Sequence, residues 1–98
     1  MVNHDIKLSE QDHKGRAYLE IDGQTRAEMT YSLAGSKLLI IDHTEVDESL
    51  QGQGVGRKLL DKVIELVRER KLKVLPLCPY AKAQFEKDEN IQDVLRGK

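Results

Sequence analysis

The amino-acid sequence predicts a mixed α/β domain (α/β or α+β class) in which an antiparallel meander is continued by a parallel pair of strands. Three observations support this prediction. The first half alternates apolar and polar residues, residues 55–71 carry an apolar stripe at helical spacing, and short apolar runs flank that stripe. A strand, a helix and a second strand in this order form one crossover unit with parallel strands. We therefore expect a sheet packed against one long central helix and short C-terminal helices.

The strands of the first half are indicated by alternation and by turn residues. Residues 1–15 contain a short apolar alternation in polar surroundings, which predicts an edge strand. Residues 16–22 and 25–33 show a period of two, and Asp22-Gly23 between them is a strong hairpin signal. A further turn is expected at residues 34–36. The first half is therefore predicted to be a meander without a helix.

The strand predicted at residues 37–46 differs from those before it. Leu38-Leu39-Ile40-Ile41 is a continuous apolar run, which is typical of a central strand covered on both faces. Beyond this run, strict alternation predicts that His43 shares the face of Ile41 and that Thr44 lies on the opposite face. The end of the strand leads into a glycine-rich segment.

The second half predicts a helix over residues 55–71, a strand over residues 73–77 and two short helices. Pro79 suits the first position of a helix, which makes Cys78 its N-cap. Apolar residues near the C-terminus indicate a last short helix. The stripe of the long helix consists of Val55, Leu59, Leu60, Val63, Ile64, Leu66 and Val67.

Three glycines stand in Gln51-Gly52-Gln53-Gly54-Val55-Gly56, between the central strand and the long helix. Glycine costs conformational entropy, so this spacing needs a reason. Backbone N–H groups at a strand-to-helix turn bind phosphate, helped by the positive end of the helix dipole. A Walker loop would need Gly at Arg57 and then Lys-Ser or Lys-Thr, and the dinucleotide fingerprint needs G-x-G-x-x-G, so neither fits. The alternative is a flexible surface loop.

Written as Q-x-x-G-x-G, residues 51–56 resemble the acetyl-coenzyme A loop of the GNAT superfamily of N-acyltransferases, specifically its small single-domain members. Residues 44–50 and 57–60 match that context, and the resemblance covers roughly residues 38–95. It implies a minimal GNAT-like acyl-CoA N-acyltransferase fold over residues 1–98, with acetyl-CoA as cosubstrate. The backbone of Val46 would contact the pantetheine arm. The implied cofactor-binding residues are Val46, Gln51, Gly52, Gln53, Gly54, Val55, Gly56 and Arg57.

The resemblance also implies that the acetyl thioester lies where the parallel strands splay apart, with His43 and Cys78 converging on it. A thiolate at a helix N-terminus is stabilised by the dipole, so a Cys–His pair would form an acetyl-cysteine intermediate. Alternatively His43 is the base for direct attack by an amine, because imidazole titrates near neutrality. The competing interpretations are an inert buried cysteine and a structural histidine. Tyr80 is either a candidate acid or a packing residue.

Larger members of the superfamily carry N-x-x-A-x-x-Φ-Y-E-K in the helix after the splayed strand. Aligned here, Cys78 replaces the Asn and Phe85 replaces the Tyr, so the usual proton donor is missing. Their helical segment between the first two strands and their later strand pair are also missing, so we expect an open, shallow cleft. We predict an acetyl-CoA-dependent N-acetyltransferase with an unidentified amine acceptor. The alternatives are a non-catalytic acyl-CoA-binding module and an interaction domain without a cofactor.

Composition argues against several other classes. The 98 residues suit one domain with a modest core. A net charge of −1 and 4% aromatic residues give no case for binding nucleic acid or a membrane surface. The single cysteine excludes an internal disulfide, and His4, His13 and His43 lack metal-ligand spacing, so we expect no metal. Without a signal-peptide pattern or a membrane-length apolar run, we expect a cytoplasmic monomer.

Overall fold

The computed structural model describes residues 5–97, which contain a five-stranded sheet with strand order β1-β2-β3-β4-β5. The first four strands pair antiparallel, and β5 is parallel to β4, as the sequence predicted. The part of the predicted edge strand at residues 1–4 lies outside the described residues. The strands are β1 (Lys7–Gln11), β2 (Lys14–Ile21), β3 (Gln24–Ala34), β4 (Leu38–Val46) and β5 (Lys73–Pro76). The helices are α1 (Val55–Arg70) and α2 (Pro79–Lys87), with short 3₁₀ segments at Glu48–Leu50 and Glu89–Val94.

The hairpin between β2 and β3 forms at the predicted dipeptide. Asp22 and Gly23 have φ angles of 53° and 79°, so both residues are left-handed. Two successive left-handed residues are the mark of a type I′ turn, whose twist matches that of the flanking strands. This match explains why Ile21 and Gln24 pair directly across the turn.

The helices pack on one face of the sheet, which we call the helix face. The guanidinium of Arg57 in α1 donates a hydrogen bond to Gln84 of α2, so the two helices are neighbours. The opposite face, called the open face, carries polar and half-buried side chains. Leu38 and Ile40 point there and are only half-buried, so the prediction that both faces of β4 are covered is wrong. The buried sheet residues are Ala17, Leu19, Ala27, Met29, Tyr31, Leu39, Ile41 and Val74.

A β-bulge in β4 reverses its side-chain directions near the C-terminal end. Ile41 and His43 pair with adjacent residues of β3, so Asp42 between them is the extra residue. Thr44 lies opposite the buried Met29, on the helix face, whereas the exposed His43 lies on the open face. The predicted faces of these two residues are therefore wrong, because strict alternation does not allow for one inserted residue.

A polar cluster ties the edge strand β1 to the C-terminal end of α1. Tyr31 is 1% exposed, and its hydroxyl donates a 2.7 Å hydrogen bond to Glu10 Oε1. Arg70 Nη1 donates to the same oxygen at 2.9 Å. Gly15 makes room for the tyrosine, because a Cβ at this position would lie 2.4 Å from Tyr31 Cζ. The cluster thus joins three elements that are distant in sequence.

Candidate functional site

Strands β4 and β5 pair from Leu38–Lys73 to Ile41–Pro76 and then separate. The carbonyl of Ile41 accepts hydrogen bonds from the amides of Leu77 and Cys78, at 3.0 and 3.2 Å. Beyond this point β4 continues beside β3, whereas the chain that leaves β5 enters α2. The result is a gap bordered by the free edge of β4 and by the N-terminus of α2.

The backbone of Val46 faces this gap. The amide of the next residue, Asp47, donates a 2.8 Å hydrogen bond to the carbonyl of Arg26 in β3. Successive peptide groups of a strand point to alternate sides, so the amide of Val46 points away from β3. This is the orientation that a backbone contact with a ligand in the gap requires.

The glycine segment forms the turn that leads into α1. Gly52 and Gly54 have φ angles of 81° and 72°, in the left-handed region that favours glycine. The first hydrogen bond of the helix runs from the amide of Lys58 to the carbonyl of Gly54. The amides of residues 54–57 therefore have no acceptor inside the helix.

The first turn of α1 contains basic but no acidic side chains. Within residues 5–97, no side chain caps the helix at Gly54, and its first turn contains no acidic residue. The carboxylates that pair with Arg57 belong to Asp61 and Asp88, which lie outside this turn. An anion bound at the free amides would interact favourably with the positive end of the helix dipole.

A cleft of about 290 Å³ lies in front of these amides. Six of the eight predicted cofactor residues line it, together with Leu50 and Tyr80, which were not assigned to the cofactor site. Gln53 is not among the lining residues, and its side-chain amide donates to the carbonyl of Ser49 at 3.2 Å. The predicted residues that line the cleft are Val46, Gln51, Gly52, Gly54, Val55 and Gly56.

The side chain of Arg57, also predicted to bind the cofactor, joins α1 to α2. Its guanidinium donates to Asp61 at 2.9 Å and to Asp88 at 2.5 Å, and these bonds raise the pKa of Arg57. The bond from Arg57 is also the main reason that the pKa of Asp88 is lowered. Because its side chain is used in this bridge, Arg57 offers the cleft only its backbone.

Cys78 is the N-cap residue of α2, as predicted, and is 4% exposed. Its thiol donates a hydrogen bond to the hydroxyl of Thr44, with Sγ and Oγ1 separated by 3.0 Å. The sulfur therefore lies on the helix face, beside the point where β4 and β5 separate. Thr44 was not predicted as its partner, because strict alternation along β4 does not allow for the bulge at Asp42.

His43 lies on the other side of the sheet. Its side chain is 64% exposed, and its nearest acidic group is Glu45, with Nε2 and Oε1 3.7 Å apart. The predicted Cys–His pair is therefore not formed, because the two side chains lie on opposite faces of β4. That both residues approach a thioester in the gap stays a prediction. The role of His43 as a base for an incoming amine stays a prediction.

Between residues 5 and 97, no three side chains of His, Cys, Asp or Glu are grouped so that they could hold a metal ion. His4 lies outside this range. No helix in the same part of the chain is long and apolar enough to cross a membrane.

A splayed parallel strand pair, beside a helix whose N-terminal amides open onto a cleft, is the arrangement that the resemblance to acyl-CoA N-acyltransferases implied. Residues 16–94 match the family model described as GCN5-related N-acetyl-transferase. The chain therefore belongs to this family, and it is an acetyl-CoA-dependent N-acetyltransferase whose acceptor is not identified. The expected family and fold class are thereby confirmed.

Individual relatives agree with this assignment. The solution structure of a protein described as a GCN5-like N-acetyltransferase from Staphylococcus aureus is 39% identical, with a TM-score of 0.72, and the match covers 100% of this chain and 93% of that one. Protein NATD1 from Xenopus tropicalis is 32% identical over 72% of this chain and 67% of its own length. The ribosomal-protein-S18-alanine N-acetyltransferase from Escherichia coli, at 21% identity, has a TM-score of 0.64 over 79% of this chain and 52% of its own, which shows the fold alone.

Proposed function

We propose that the protein transfers the acetyl group of acetyl-CoA directly to a primary amine at the gap between β4 and β5. The observation that carries the proposal is the uncapped, acid-free N-terminus of α1, which opens onto the same cleft as the end of β4. In this complex the amides of residues 54–57 donate to the diphosphate of acetyl-CoA. The backbone of Val46 holds the pantetheine arm, and the thioester lies in the gap.

The acceptor enters from the open face, where His43 is exposed. The amine nitrogen attacks the thioester carbonyl, the carbon–sulfur bond breaks, and the thiolate of coenzyme A leaves with the bonding electrons. The proton of the attacking amine passes to the imidazole of His43, because histidine is the side chain that most often acts as a general base in enzymes. The acetyl carbon thus exchanges a C–S bond for a C–N bond, and no redox partner is needed.

A second route is favoured by the contact between Cys78 and Thr44. Here Cys78 Sγ attacks the thioester, and its proton passes to the leaving thiolate of coenzyme A. An acetyl-cysteine forms, and the amine then attacks it and regenerates the thiol. The position of the sulfur supports this route, because Cys78 follows directly on the end of the β4–β5 pairing, beside the gap in which the thioester would lie.

Calorimetric titration with acetyl-CoA tests the cofactor site. We expect saturable binding by the wild type and its loss in Gly54→Val, because valine cannot follow the φ of 72° without moving the loop. Gly35→Val is the matched control: it has a φ of 68°, also with no neighbour near its Cβ position, in the turn after β3. It should be strained to a similar degree and still bind. Absence of binding by the wild type at millimolar acetyl-CoA would refute the proposal.

Labelling with radioactive acetyl-CoA separates the two routes. If transfer is direct, Cys78→Ala should still turn over amines and no acetylated protein should be detected. The rate of acetyl transfer to a panel of amines should be lower for His43→Asn than for the wild type. The covalent route would be shown instead if the wild-type protein carried the acetyl label and if Cys78→Ala lost both this label and its turnover of amines. Tight binding without turnover of any amine in a broad panel would favour a non-catalytic module.

A further inference from the structure

We infer that Tyr80 is a further cosubstrate-binding residue, whose hydroxyl donates a hydrogen bond to the diphosphate of bound acetyl-CoA. The inference rests on the proposed function, because it assigns a role within the same cleft. It adds a side-chain donor to the backbone amides at the N-terminus of α1.

The position of the phenol ring supports this role. Tyr80 stands in the first turn of α2, and its ring lies directly over Gly56, the second residue of α1. A Cβ built on Gly56 would be 2.9 Å from Cζ and 3.0 Å from the hydroxyl oxygen of Tyr80. The hydroxyl is thus placed beside the first-turn amides, on the wall of the cleft.

The hydroxyl of Tyr80 also has no hydrogen-bond partner among residues 5–97. Across the part of the chain that the structure describes, the only tyrosine hydroxyl with a hydrogen bond to a protein group is that of Tyr31, which donates to Glu10. A half-buried hydroxyl without a protein partner is costly unless water or a ligand takes its hydrogen bond. The adjoining cleft allows a ligand to do so.

The protonation state of Tyr80 suits a donor. Burial raises the pKa of its hydroxyl above the ordinary value, and the nearby charge of Arg57 opposes that shift only in part. The phenol therefore carries its proton at neutral pH and can donate it to an anionic oxygen. A hydrogen bond with one charged partner is stronger than a neutral one.

Glycine at position 56 acquires a second purpose in this arrangement. Any side chain there would meet the ring of Tyr80 at less than van der Waals distance. The absence of a side chain at Gly56 thus lets the phosphate approach the backbone. It also leaves room for the ring of Tyr80, whose hydroxyl lies beside the same backbone.

Binding measurements on Tyr80→Phe test the inference. Phenylalanine keeps the ring against Gly56 and removes only the hydroxyl, so the fold should be preserved. Two ligands are compared: acetyl-CoA, titrated directly, and S-acetylpantetheine, which lacks the diphosphate and is measured by competition. We expect acetyl-CoA to bind about tenfold more weakly to Tyr80→Phe, from the usual energy of a hydrogen bond to a charged group. S-Acetylpantetheine should bind both proteins equally.

Tyr18→Phe is the matched control, because the ring of Tyr18 lies under the guanidinium of Arg16 on the open face. It should bind both ligands like the wild type. Equal affinity of Tyr80→Phe and wild type for acetyl-CoA would overturn the inference, and so would an equal loss for both ligands. Failure of the wild type to bind acetyl-CoA would instead overturn the proposed function, and with it the role of Tyr80.

Discussion

Replacing Tyr31 by phenylalanine tests the cluster that joins β1 to the end of α1. The hydroxyl of Tyr31 donates to Glu10 at 2.7 Å, and Arg70 shares the same carboxylate. Phenylalanine fills almost the same volume, so the change isolates the hydrogen bond from the packing of the ring. We expect the free energy of unfolding to decrease.

The size of this decrease follows from the charge and exposure of Glu10. A hydrogen bond to a charged group contributes about 1.5–3 kcal/mol. Because the side chain of Glu10 is 28% exposed, water replaces part of the lost bond, and the lower end of the range applies. A loss of about 1.5 kcal/mol would lower the midpoint of thermal unfolding by roughly 6–12 °C in a domain of this size.

The pH dependence gives a second test. The hydrogen bond from Tyr31 is the largest cause that lowers the pKa of Glu10 below its ordinary value of 4.5. A lowered pKa in the folded state stabilises the protein fully above the unfolded pKa, and this stability is lost as the pH falls through the folded value. The difference between wild type and Tyr31→Phe should therefore be largest at neutral pH and shrink below about pH 4.5.

Urea unfolding of both proteins at pH 7 and at several acidic pH values measures these effects. Tyr18→Phe again serves as a control that removes a hydroxyl from the same sheet, and it should leave stability almost unchanged. A difference for Tyr31→Phe that is below about 0.5 kcal/mol, the usual scatter of surface substitutions, would refute the reasoning. A larger difference that stays constant from pH 7 to acidic pH would refute the role given to Glu10.

Two further stability predictions come from backbone positions. Gly15→Ala should lower the free energy of unfolding by about 1–3 kcal/mol, because its Cβ would lie 2.4 Å from Tyr31 Cζ and 2.9 Å from the carbonyl oxygen of Ser9; urea unfolding that matches the wild type would contradict this. Lys71→Gly should raise the free energy of unfolding by about 0.5–1 kcal/mol, because Lys71 caps α1 with a left-handed φ of 59°, which glycine adopts more easily. A lower thermal midpoint for Lys71→Gly would show that its side chain matters more than its backbone.

The positions of the secondary-structure elements were largely predictable, because they depend on neighbouring residues. The apolar stripe over residues 55–71 predicted α1 to within one residue at its C-terminal end. The hairpin at Asp22-Gly23 formed as expected, since only a few residue types tolerate two successive positive φ angles. The order of strand, glycine loop and helix also predicted the turn before α1, where backbone amides have no acceptor inside the helix.

The arrangement of side chains around the gap was less predictable. The bulge at Asp42 exchanged the faces of His43 and Thr44, so the partner of Cys78 proved to be a hydroxyl and not an imidazole. Arg57 fitted the resemblance to a cofactor loop, yet its guanidinium bonds to Asp88 at the end of α2. Tyr80 reached the cleft only because α2 packs its first turn against Gly56.

The family, the turn residues, the helical stripe and the loop with free amides were predictable from the sequence, because each is recognised from residues a few positions apart. The tertiary structure decided which groups share the site. The residues Thr44 and Cys78 are 34 positions apart, and Arg57 and Asp88 are 31 apart. Contacts over such separations depend on register, and one inserted strand residue changes the face of every side chain that follows it.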